Sequence, residues 1–241
     1  MRTDQKIIDE IAEAAYTEFD HLSDYIWKTP EFIETQHELE TEKLDDYFPF
    51  TGDATHDEKA LYMRKLRWRL ESVKLEKYFP HYMAISNLFL CLSLFEFYCL
   101  RLAKQIEQDS GKEIHHFKGN GLERLLSYLA DAGLEVKKAR FERQLQCAIK
   151  IRNCFIHANG SIEWMKKDKL EIRRIIKTKE YYSKQKFDGS PREVFDPIVR
   201  ILDDELGERV VIENEYAFTL SAYLKRCFID ICGYKIRVIE L

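Results

Sequence analysis

The chain has 241 residues, 45% of them hydrophobic and 33% charged, with a mean hydropathy of −0.42. This is enough to bury a self-sufficient core without disulfide or metal staples, and it excludes disordered and fibrous classes in favour of a soluble globular protein. The formal charge of −4 conceals an uneven distribution: residues 1–60 hold 17 Asp+Glu against 5 Lys+Arg, and residues 137–186 hold 15 Lys+Arg against 5 Asp+Glu. A basic middle segment is a candidate polyanion-facing surface, although solvated helix faces carry charge too.

In chain order, Met1–Gln5 has no basic leader ahead of an apolar run, so no secretory signal is expected. Ile7, Ile8, Ile11, Ala15, Phe19, Leu22 and Ile26 recur at helical spacing and predict a helix from Asp4 to about Lys28, ended by Pro30. A second helix is expected over Glu31–Asp46, a connector over 47–55 and a third helix over Asp57–Tyr78, broken by Pro80. The apolar helix His81–Gln108 is long enough to span a bilayer. It contains Ser86, Asn87, Ser93, Glu96 and Arg101, which predicts a core helix and no membrane partner.

A glycine-containing loop, 109–121, leads to a short helix Leu122–Ala132 and a longer one, Lys138–Ala158, closed by Asn159-Gly160. Lys169–Lys177 and Glu208–Glu213 read as short strands that could pair with each other, with Gly189-Ser-Pro191 and Gly207 marking loops. Glu215–Ile231 reads as a last helix stopped by Gly233. The expected fold is mainly α, with a small β element near residues 169–213. The expected units are an acidic helical region, 1–79, and a helical domain, 80–241. Six cysteines without a CxxC pair, mostly inside apolar patterns, predict reduced core residues in a cytoplasmic protein.

One stretch carries chemistry. On the helix before Asn159, Arg143, Gln146, Lys150, Asn153 and His157 recur at spacings of three and four and share a polar face. Phe141, Leu145, Ala148, Ile151 and Phe155 point the other way. Arg152 lies about 100° around from Asn153, within reach of that face. Imidazole is the side chain that trades protons near neutrality, and guanidinium holds phosphate and developing negative charge. Together they suit metal-free RNA cleavage through the ribose 2′-hydroxyl, for which no cofactor or metal is expected.

Other constellations read as structural. His115-His116 sits in a polar loop with no cysteine spacing, so an exposed loop is favoured over a zinc site. Cys154 falls on the apolar side, which favours a core thiol over a nucleophile. Glu96, in an apolar helix, reads equally as an orienting partner of Arg152 or as a structural ion pair. Tyr181-Tyr182 among lysines could stack RNA bases, although exposed loop tyrosines are the commoner case.

Arg152-Asn-Cys-Phe-Ile-His157 resembles the Arg-x4-6-His motif of the HEPN superfamily, including the polar residue after the arginine. The long helix with Glu96 amid Leu92, Leu94, Phe95, Phe97 and Leu100 resembles the first core helix of HEPN domains. Segments 117–128 and 149–160 are similar to a group of bacterial HEPN-like proteins, so the resemblance covers about residues 80–235. It implies a dimerising helical bundle whose two motif helices face each other and form one metal-independent ribonuclease site, in toxins, anti-phage effectors and RNA-processing enzymes. On that resemblance, Arg152 binds and polarises the scissile phosphate, His157 is the general acid or base, and Asn153 positions the phosphate or the partner's histidine. Lys150, Arg143 and Gln146, with Lys166 and Lys167, are assigned to flanking RNA on charge and helix face. Toxins with a nucleotidyltransferase antitoxin carry a tyrosine two residues after the histidine. Asn159 stands there, so nucleotidylation is not the expected control, and any regulator is a separate chain, an antitoxin or another regulatory protein, or the N-terminal third. The alternative is a non-catalytic HEPN-like module that binds RNA or a nucleotide, or serves only to dimerise.

Overall fold

A computed structural model describes residues 4–178 and 198–235. The Tyr181-Tyr182 pair and the Gly189-Ser-Pro191 turn lie outside the described residues. The fold is mainly helical with one small two-stranded sheet: α1 (Gln5–Tyr47), α2 (Ala54–Val73), α3 (Phe79–Ser110), α4 (Leu122–Asp131), α5 (Glu142–Ala158), α6 (Lys169–Thr178), β1 (Val199–Asp204), β2 (Gly207–Ile212) and α7 (Asn214–Cys232).

The core is built on α3. Its buried positions Ala84, Leu88, Cys91, Leu92, Phe95, Tyr98, Cys99 and Leu102 follow the three-and-four spacing of an inward stripe. That stripe meets α7, where the Phe228 ring stands edge-on to Phe95 at 6.0 Å and to Tyr98 at 5.8 Å. The first half of α1 closes the layer with Ile8, Ile11, Ala15, Phe19 and Ile26. All six cysteines are buried and free, as their apolar surroundings predict. Helix Ala54–Ser110 is long and apolar enough to cross a membrane by length and composition. Within this fold its α3 part is the central core helix.

Pro30 does not end α1, which continues for 17 residues beyond it to Tyr47. A proline removes the N–H that would bond the carbonyl four residues back, here that of Ile26. Two other donors serve that carbonyl: Thr29 Oγ1 at 2.8 Å and Asn214 Nδ2 at 2.9 Å. Asn214 in turn accepts from buried Asn87 Nδ2 at 2.7 Å, so a polar knot ties α1, α3 and α7 together at the proline. We expect Asn214→Ala to destabilise the fold by about 1–2 kcal/mol, because it takes one hydrogen bond each from the Ile26 carbonyl and from buried Asn87, which keep only their bonds to Thr29. Urea unfolding followed by circular dichroism measures this; an unchanged midpoint would show that the knot contributes nothing.

Pro80 does not break the chain either. A single π turn, Lys74–Tyr78, joins α2 to α3, with the Phe79 N–H bonded to the Lys74 carbonyl. The wider turn lets the ring of Pro80 sit in the first turn of α3 without interrupting the helix. The expected boundary at 79/80 thus lies inside an uninterrupted helix.

Residues 169–177 are not a strand. Ile172, Ile175 and Ile176 are buried at helical spacing in α6, so packing overrides the strand preference of the β-branched run. The strand expected near 208–213 is β2. Its antiparallel partner is β1, in register from Val199 opposite Ile212 to Asp204 opposite Gly207.

Candidate functional site: the polar face of α5

Helix α5 buries Leu145, Ala148, Ile151, Cys154 and Phe155 and turns its polar residues outward, as its periodicity predicts. Its end is sharply built. Asn159 (φ 47°) and Gly160 (φ 81°) are both left-handed, and their N–H groups close onto the carbonyls of Phe155 and Cys154. A Cβ on Gly160 would meet the Phe155 ring at 3.0 Å and the Val210 carbonyl at 3.1 Å, so only glycine fits. The Gly160 carbonyl accepts the Val210 N–H at 2.8 Å, and the Glu208 carbonyl accepts the Ile162 N–H at 2.9 Å. The hairpin thereby clamps the turn that carries His157.

Arg152 is half-buried between two partners. Its Nε and Nη2 donate to Asn153 Oδ1 at 3.3 and 3.2 Å, and its Nη1 lies 3.7 Å from Glu96 Oε2. Glu96 therefore reaches Arg152 from α3, which resolves its place if not its role. The carboxylate also touches the loop before α4: a Cβ on Gly121 (φ 52°) would come within 3.0 Å of Glu96 Oε1. The glycine there leaves room for the carboxylate, a role invisible in sequence because the two residues are 25 apart.

His157 is exposed and makes no hydrogen bond or ion pair among the described residues. It lies about 40° to one side of Asn153 and Arg152 about 100° to the other. The structure thus joins Arg152, Asn153 and Glu96 in direct contact and leaves His157 open on the adjoining flank.

The assigned RNA-contacting residues are less uniform. Lys150 is ion-paired with Glu171 of α6. Gln146 is half-buried, Arg143 is exposed, and Lys166 and Lys167 are exposed between α5 and α6. Cys154 is a core thiol, its pKa pushed up to about 11 by burial, which leaves it unsuited to nucleophilic work. On the opposite side of α5, His81 packs edge-on to Phe155 at 6.3 Å. It faces a cleft of about 650 Å³ shared with Arg209 and Tyr78. Burial and then the Arg209 charge lower its pKa.

The two helices that carry this group also leave apolar side chains exposed. Ile156, beside His157, is 54% exposed. On α3, Leu90, Phe97 (53%) and Leu100 are exposed on the side bordering Glu96. The spacing of seven between Leu90 and Phe97, and of three between Phe97 and Leu100, puts them on one helix face. Sequence reasoning placed Leu90, Phe97 and Leu100 in a core helix, since an apolar helix does not announce which of its faces is left uncovered. No family model, curated protein or solved structure matches this chain.

Proposed function

We propose that this chain is a metal-independent endoribonuclease of HEPN type that works as a cytoplasmic homodimer, in a toxin-like or anti-phage role. The observation that carries this reading is the arrangement of Arg152, Asn153 and His157 on the exposed side of one helix, with Glu96 steadying the guanidinium. In one chain the imidazole and guanidinium lie on opposite flanks of Asn153 and do not face each other across a groove. A two-fold mate set on this face supplies the facing groups. The exposed Phe97, Leu100 and Ile156 on the same two helices favour such a mate, since burying them removes apolar surface from water at about 25 cal/mol per Å².

The chemistry follows from these groups. One imidazole takes the proton of the ribose 2′-hydroxyl, and the 2′-oxygen attacks the adjoining phosphorus. The bond to the 5′-oxygen breaks, and a second imidazole, from the partner copy, returns a proton to that oxygen. Arg152 holds the phosphoryl oxygens as negative charge builds on them. The products are a 2′,3′-cyclic phosphate and a free 5′-hydroxyl, and DNA, which lacks the attacking hydroxyl, is spared.

The test is incubation of the purified chain with RNA and with DNA of the same sequence in excess EDTA. RNA is expected to be cut to cyclic-phosphate ends while DNA stays intact. Cleavage that requires added metal would overturn the mechanism. RNA bound but never cut would instead favour the non-catalytic module.

A further inference from the structure

The connection between α3 and α4 gathers three side chains with metal-binding atoms. Glu113 precedes a 3₁₀ turn, Ile114–His116, and its Oε2 lies 3.2 Å from His115 Nε2 and 3.4 Å from His116 Nε2. All three donor atoms fall within 4.8 Å of one another, and no other such group of three occurs among the described residues. A tetrahedral ion with bonds of about 2.0–2.1 Å holds its ligand atoms about 3.3 Å apart. Two edges of this triangle already have that length, and the third closes by a small movement of exposed rings.

The backbone beneath is fixed. Ile114 is buried, and its N–H donates to Glu107 Oε1 at 2.8 Å. The Lys112 carbonyl accepts from the Tyr128 hydroxyl at 3.0 Å, and the Phe117 ring stands edge-on to Tyr128 at 5.1 Å. The turn that carries the ligands is therefore ordered beforehand, and only side-chain rotamers remain to be ordered on binding.

We infer that Glu113, His115 and His116 form a surface site for a divalent ion of the zinc class, held by two imidazole nitrogens and one carboxylate oxygen, with the remaining positions open to water. The donor set disfavours magnesium and calcium, which take oxygen ligands. The buried cysteines offer no competing thiolate at the surface. None of the three ligands belongs to the Arg152 group, so this site and the proposed nuclease stand or fall separately.

A carboxylate oxygen this near two imidazole nitrogens is satisfied either by two ring N–H donors or by one cation among the three, and zinc binding tells the two apart. Calorimetric titration of the full chain with zinc chloride, in chelator-free buffer at neutral pH, is expected to show one saturable equivalent. His115→Ala and His116→Ala should each weaken it by at least ~10-fold, the size of loss typical when a metal site is disturbed. Glu113→Gln should weaken it less, and His56→Ala, which alters another exposed imidazole, should leave it unchanged. Circular dichroism checks that each variant is folded. No saturable binding, or the same isotherm in the His115→Ala, His116→Ala double variant, would overturn the site.

Discussion

On the proposed nuclease reading, His157→Ala and Arg152→Ala are each expected to remove RNA cleavage while the chain stays folded. The imidazole is expected to contribute about 10²- to 10⁴-fold as the proton-transfer group. The guanidinium is expected to contribute about 10²- to 10³-fold as the charge that meets the developing phosphorane. Neither loss should cost stability. His157 is exposed and without a partner among the described residues, and the Arg152–Glu96 pair is partly solvated at 3.7 Å, where ion pairs contribute little. Single-turnover cleavage assays beside thermal melts measure both quantities. A variant as active as the parent would dismiss the corresponding role, and a variant that melts early would point to a structural part instead. Arg152→Lys keeps the charge but not the two-pronged geometry, so it should recover only part of the rate.

Phe97→Glu combined with Ile156→Glu is expected to convert the proposed dimer into folded monomers of 28.8 kDa and to abolish the proposed cleavage with it. Both side chains are more than half exposed in the single chain, so the fold loses almost nothing when they become polar. Buried in a two-fold interface, two carboxylates per chain would face their own copies across an apolar seam, which is prohibitive. Light scattering reads the mass, and the cleavage assay reads the consequence. A double variant that remains dimeric and active would mean that the mate, if there is one, lies elsewhere.

What could be read beforehand follows the physics of repetition. Helix α5, its inward Leu145, Ala148, Ile151 and Phe155, and its Asn159-Gly160 close were legible because amphipathic spacing and left-handed caps are local signals. The misreadings share a cause as well. Pro30 stops a helix only when nothing replaces the lost donor, and Asn214, 184 residues away, replaces it. Pro80 was harmless because the preceding turn is wide. The Leu170–Ile176 run carries β-branched residues that suit a strand, and only the neighbours that bury Ile172 and Ile175 choose a helix. In the site, the joining of Glu96 to Arg152 was foreseeable as one of two readings. The need for glycine at 121 and the pairing of Lys150 with Glu171 depend on chain-distant approach and were not foreseeable.

The π turn at Lys74–Tyr78 carries one residue more than an ordinary turn, and that single extra residue acts as a phase corrector. Tyr62, Leu66, Leu70 and Val73 before it, and Tyr78, Tyr82 and Leu90 after it, are all exposed and line up along one edge. The Tyr78 and Tyr82 rings stack 6.4 Å apart along it. The edge continues to Phe97 and Leu100, about 57 Å from where it starts at 1.5 Å per residue. One continuous helix, Ala54–Ser110, thus carries this edge from α2 through to the stretch of α3 that presents Glu96 to the arginine.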